Sequence, residues 1–388
     1  MKLRKIVFWM HLTAGLIAGS VVLVMSVTGV LLAFERQLTD WAERDLRAAP
    51  PGPAASRLST SALIARLRAA EPDAMPSGLT LRSDPAAPAT INLGRERAVF
   101  VNPYTGAVLG EGSKRARDFF RTVTNVHRWL GTSEENRAIG RAITGACNLA
   151  FLFLVTSGFY LWWPRRGTKN AGRAIVFPKT NLRGKARYFS WHNATGFWCA
   201  PVLLLIVLSG VLMSYTWATN LLYRVTGTEP PPARTAAARR PAPTKEISFI
   251  PDEIDRFWTI AEQRVPDWKS ISLRFETSAS APLIFSIEQG QRGRPDLRSQ
   301  LTLDATTGEV VRWELFASFN LGRRLRAWAR FSHTGEAGGV LGQTVAAIAS
   351  SGAALLVCTG FALAWRRLRE RKRRQKPVGV SASAEALN

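Results

Sequence analysis

Four uncharged apolar stretches, residues 6–34, 142–163, 188–223 and 337–365, commit this chain to a membrane. Each exceeds the roughly 20 residues that a helix needs to cross the hydrocarbon core. The first stretch follows Lys2, Arg4 and Lys5, as the core of a secretory signal would. Its apolar run is too long for such a core and no small-residue cleavage site closes it, so it is expected to remain as a span.

The formal net charge of +24 would suit a nucleic-acid partner, but its distribution points elsewhere. Three basic residues lie in positions 1–5. Eight basic and no acidic residues lie in 164–187, and eight basic and one acidic in 366–376. All three segments fall on the same side of a four-span chain, the pattern of positive-inside loops. Both termini are therefore expected in the cytoplasm, and the long segments outside, which in a bacterium is the periplasm. The implied layout is a terminus and span at 1–34, an outside domain at 35–138 and a span at 139–163. A basic loop at 164–187 leads to a span at 188–223 and a second outside domain at 224–336. A span at 337–365 and a basic tail at 366–388 complete it. Cys147, Cys199 and Cys358 all fall in spans with no CxxC or CxxCH, which excludes a disulfide framework and covalently attached haem.

The two halves repeat. His11 is followed by Gly15 and Gly29, and His192 by Gly196 and Gly210, at equal intervals. Val27-Thr28-Gly29 matches Leu208-Ser209-Gly210, and Ser157-Gly158-Phe159 matches Thr359-Gly360-Phe361. In the outside segments Asn102–Gly106 corresponds to Asp304–Gly308, and each of those glycines precedes its counterpart in the next span by 52 residues. A two-fold internal repeat follows, each half reading span, outside domain, span.

The outside segments read as α+β. The first predicts a helix over 59–70 and strands at 79–82, 90–93, 98–102 and 107–109. The second predicts a helix over 251–264 and strands at 271–276, 283–288, 300–303 and 309–313. Pro/Ala-rich linkers are expected at 48–55 and 229–243. The basic-aromatic stretches 115–130 and 320–331 are expected as helices on the outer membrane surface.

The chain has four histidines, His11, His127, His192 and His333, each at the edge of a span. His11 and His192 occupy matching places near the inner face. His127 and His333 precede the second and fourth spans near the outer face, with His333 four residues later in the repeat frame. Two pairs, one per face and one member from each half, suit two bis-imidazole irons. Gly15 and Gly196, one turn from a histidine, would admit a flat macrocycle, and equally would serve close helix packing. Zinc needs three or four converging ligands, which pairs at opposite faces do not offer, although Glu336 beside His333 leaves a local metal site open. A proton relay would need acidic groups that the spans lack. An aromatic belt accounts for most of the tryptophans.

These residues resemble a known family, the PepSY-associated transmembrane proteins. The resemblance lies in His127-Arg128-Trp129-Leu130, Ser157-Gly158 through Trp162-Trp163-Pro164, Trp191-His192 with Gly196, and His333-Thr334-Gly335-Glu336. The two Thr-Gly turns complete it. Thr13-Ala14-Gly15 after His11 departs from the stretch after His192. The resemblance implies a membrane α-helical fold, four transmembrane helices with a two-fold repeat and two periplasmic α+β PepSY-like domains. It implies an inner-membrane ferric-siderophore reductase, of the ferrioxamine type, holding two non-covalent haem b groups. His11, His127, His192 and His333 map onto the family's haem ligands. No GxGxxG follows a strand, so the electron donor is expected to be a quinol or a separate cytosolic reductase. The cofactor would carry the chemistry without a catalytic acid or base. A chelate permease and a PepSY-based scaffold are the competing readings.

Overall fold

The computed structural model describes residues 2–94, 97–163, 176–179, 181–230, 249–276, 278–290 and 293–374. They form two compact units. One, the membrane unit, takes Met1–Val30, Val126–Val211 and Val345–Asn388; the other, the sheet unit, takes Leu31–Asn125 and Leu212–Thr344.

Among the described residues, four helices are long and apolar enough to cross a membrane. They are α1 (Lys2–Ala33), α5 (Arg137–Trp162), α6 (Gly184–Ser214) and α10 (Gly339–Arg374). The shorter helices are α2 (Glu35–Ala42), α3 (Thr60–Ala70), α4 (Lys114–Trp129), α7 (Thr216–Val225), α8 (Ile254–Arg264) and α9 (Leu321–His333). The third span is shorter than its uncharged run implies. Tyr215 turns extended, and the Thr219 hydroxyl donates to the Leu212 carbonyl at 2.8 Å, so the run to residue 223 divides into α6 and α7. Hydropathy does not see this break, because both sides of it are apolar. The fourth helix continues past its apolar run into the basic tail, since arginine is a good helix former.

In the membrane unit, small and hydroxyl-bearing side chains let the helices approach. Cys199 and Leu203 of α6 pack with Ala349 and Ala353 of α10. Asn148 of α5, 6% exposed, donates to the Val207 carbonyl of α6 at 3.1 Å. A Cβ on Gly210 would stand 2.9 Å from that amide, so glycine admits the contact.

The sheet unit holds eight antiparallel strands in the order β4-β3-β2-β1-β5-β6-β7-β8. They are β1 (Pro76–Arg82), β2 (Ala89–Leu93), β3 (Arg97–Val101), β4 (Val108–Gly110), β5 (Ser270–Arg274), β6 (Leu283–Glu288), β7 (Arg298–Leu303) and β8 (Val310–Leu315). The predicted strands and helices all form, with ends shifted by a few residues. Their grouping differs from the expectation of two separate domains. β1 of the first segment pairs with β5 of the second, Leu79 opposite Leu273 and Leu81 opposite Ile271. Alternating residues Leu79, Ile91, Val99, Leu273, Phe285 and Leu301 point to one face and form a common core with α3 and α8. Joining the central strands β1 and β5 makes that core continuous across both segments.

The strand turns carry the matching signatures read in the sequence. Asn102 Oδ1 accepts the amides of Tyr104 and Thr105, and Asp304 Oδ1 accepts those of Thr306 and Thr307. Gly106 and Gly308 follow at φ +74 each, a conformation that favours glycine. The predicted helices before the second and fourth spans form as α4 and α9. The linker at 48–55 is irregular, whereas that at 229–243 lies largely outside the described residues, as does most of the basic loop at 164–187.

Candidate functional site

Three of the four histidines lie in the membrane unit, and each meets the same arrangement from a neighbouring helix. His11 of α1 places Nδ1 at 2.8 Å from Ser157 Oγ of α5. His192 of α6 places Nδ1 at 2.9 Å from Thr359 Oγ1 of α10. His127 of α4 places Nδ1 at 2.8 Å from Thr28 Oγ1 of α1. The three imidazoles are half-buried and the three hydroxyl residues buried, Thr359 at 3% exposed.

A glycine follows each hydroxyl residue and lies against the ring. A Cβ built on Gly158 would be 3.4 Å from His11 Cε1, and one on Gly360 would be 3.6 Å from His192 Cε1. On Gly29 it would be 3.6 Å from His127 Cε1. Cε1 adjoins Nε2, so the glycines keep the flank of that nitrogen clear of side chain. The hydroxyl–glycine pair is legible as Thr28-Gly29, Ser157-Gly158 and Thr359-Gly360. As sequence it reads only as part of the repeat, because nothing local says that a hydroxyl one helix away faces an imidazole.

His11 and His192 come together. The helices of their two seats meet there: Trp162 of α5, five residues past Ser157, stacks on Phe197 of α6, five residues past His192, with ring centroids 4.6 Å apart. His127 stands apart from that pair, since Thr28 lies seventeen residues beyond His11 on α1, about 25 Å along a helix. This is less than a full bilayer. His333, half-buried, is the last residue of α9 in the sheet unit. Gly15 and Gly196 are not against a histidine: a Cβ on either would meet Leu154 or Leu356.

A family match covers almost all of this sequence. The PepSY-associated TM region matches residues 8–367. The chain belongs to the PepSY-associated transmembrane family. It is a multi-pass membrane protein with an α+β part, as that membership and the four long apolar helices together require. No curated protein matches it.

The side chains around these histidines can be set against the needs of a haem. Among the described residues no group of three or more His, Cys, Asp or Glu could hold a metal. The local site left open for His333 with Glu336 thus gains no third ligand there. Haem brings four equatorial nitrogens and asks the protein only for axial ligands, apolar walls and room for a flat ring. Imidazoles on three different helices, each with a flanking glycine, and apolar helix faces fit those needs.

Proposed function

We propose that this protein is an inner-membrane oxidoreductase that binds two haem b groups and passes electrons outward to a ferric chelate. The chelate would be a siderophore of the ferrioxamine type, and its reduction would release iron(II), which hard oxygen ligands hold less well than iron(III). The observation that carries this reading is the matching seat of His11 and His192, on two helices, each set between a hydroxyl and a glycine of a neighbouring helix.

His11, His192, His127 and His333 are the proposed axial ligands. Bound haem would supply one-electron carriers along the helices. The chain's own residues do the rest. Ser157 and Thr359 hold the inner imidazoles in place, and Gly158 and Gly360 keep their flanks open. Cys199, Leu203, Ala349 and Ala353 pack an apolar layer that excludes water from between α6 and α10. Electrons would enter from a quinol or a cytosolic reductase at the inner end, where the basic segments belong by the positive-inside pattern. The two-fold repeat fits a carrier with one site toward each face, and the sheet unit would then be periplasmic.

The test is an absorption spectrum of the full-length protein purified after haem-replete expression, oxidised and dithionite-reduced, with pyridine haemochrome quantitation. Two haems b per chain, reoxidised by a ferric hydroxamate with capture of iron(II), is the expected result. A colourless protein would overturn the reading and bring forward the permease or scaffold alternatives.

A further inference from the structure

We infer that Ser157, Thr359 and Thr28 are positioning residues that fix the proton of each imidazole on Nδ1 and so make Nε2 the metal-binding nitrogen. This rests on the haem reading above and adds to it which residues tune the ligands. The argument is a count of protons. A serine or threonine hydroxyl has one hydrogen to give and two lone pairs to receive with.

In all three cases that hydrogen has a destination on its own helix. Ser157 Oγ donates to the Phe153 carbonyl, Thr359 Oγ1 to the Leu355 carbonyl at 2.8 Å, and Thr28 Oγ1 to the Val24 carbonyl at 2.7 Å. With the hydrogen committed there, the oxygen faces the imidazole as an acceptor. Nδ1–H then donates to it, and a neutral ring with its proton on Nδ1 carries its lone pair on Nε2. The same assignment follows independently at three sites on different helix pairs. Nothing in a helix requires a hydroxyl at those places, since the carbonyls already accept from the backbone.

Two consequences follow for a metal-bound imidazole. The ring is pinned in rotation about its axis between the hydroxyl and the glycine that follows it. Its electron donation is also set by a neutral acceptor rather than by a carboxylate, which keeps the ligand an imidazole and not an imidazolate. Loss of such a partner costs on the order of 10–100-fold in metal affinity.

The experiment compares the full-length protein with Ser157→Ala and Thr359→Val, and with the hydroxyl-retaining exchanges Ser157→Thr and Thr359→Ser. Haem loss to excess apomyoglobin and the midpoint potentials are measured on each. The hydroxyl-deleted variants are expected to release the inner haem 10–100-fold more readily and to show a higher midpoint for it, with both changes reversed in the hydroxyl-retaining pair. In parallel, solid-state NMR of the 15N-histidine-labelled protein without haem reads the tautomer directly, and the Nδ1–H form is expected. A protein that keeps two haems with unchanged release and midpoints in Ser157→Ala and Thr359→Val overturns the inference and leaves the haem reading standing. An Nε2–H signature overturns it as well. A chain with the Nδ1–H signature that takes up no haem sinks the functional reading while the hydroxyl–imidazole pairing holds.

Discussion

Thr28 holds the Nδ1 of His127 at 2.8 Å on the same helix that carries His11, seventeen residues earlier. One rigid helix therefore spans from His11 to a second histidine site, about 25 Å away at roughly 1.5 Å per residue. That spacing suits two redox groups in sequence, each with its own ligands.

The two sites are expected to be separable. His192→Ala should remove one of the two haems and leave the other spectrally intact, and His127→Ala should do the converse. Haem stoichiometry by pyridine haemochrome, with redox titration of what remains, checks this. Loss of both haems from either single variant would contradict independent sites.

Side-chain bulk beside the inner imidazole is expected to exclude the macrocycle before it harms the fold. Gly158→Ala adds a methyl only 3.4 Å from His11 Cε1, an ordinary contact, and should retain most of the haem. Gly158→Leu should lose the inner haem, because the longer side chain occupies the flank of Nε2. The ratio of haem to protein after size-exclusion chromatography distinguishes the two.

The shared sheet predicts coupled stability. Leu79 and Leu273 stand opposite each other on β1 and β5, at 0% and 2% exposed. Leu79→Ala and Leu273→Ala should each cost about 2–5 kcal/mol. Either change should expose both outside segments to protease together. Selective cleavage of only the segment bearing the substitution would mean that the halves fold apart.

A pH dependence resides where α8 meets the start of α3. Burial works to raise the Asp255 carboxyl, but the Ser61 and Thr60 hydroxyls and the Ser61 amide outweigh it. The carboxyl is held below its ordinary value near 3.8. A folded-state pKa below the unfolded one contributes stability that is fully present above the unfolded value. It is lost as pH falls through the folded value. Thermal unfolding of the sheet unit should therefore show a loss below about pH 4 that Asp255→Asn reduces. An unchanged acid limb in that variant would exclude Asp255 as its source.

Much of this was legible because membranes and turns impose local rules. Uncharged runs must become helices in lipid, and an Asx residue three or four places before a glycine makes its turn whatever surrounds it. So the four spans, the strands near Leu79 and Leu273, and the turns at Gly106 and Gly308 follow from neighbours in the chain. The break at Tyr215 did not, because an apolar run is equally apolar on both sides of a bend.

What the amino-acid sequence determined by itself is the membrane class, the segments that become helices and strands, and the small set of side chains able to ligate a metal. Only the tertiary structure decided that β1 and β5 join two segments into one sheet. It likewise decided that Ser157, Thr359 and Thr28 face the imidazoles, while Gly15 and Gly196 face leucines. Propensity and periodicity act over one helical turn or one strand. Which hydroxyl meets which histidine depends on how helices far apart in the chain pack, and that is settled by the summed contacts of whole surfaces.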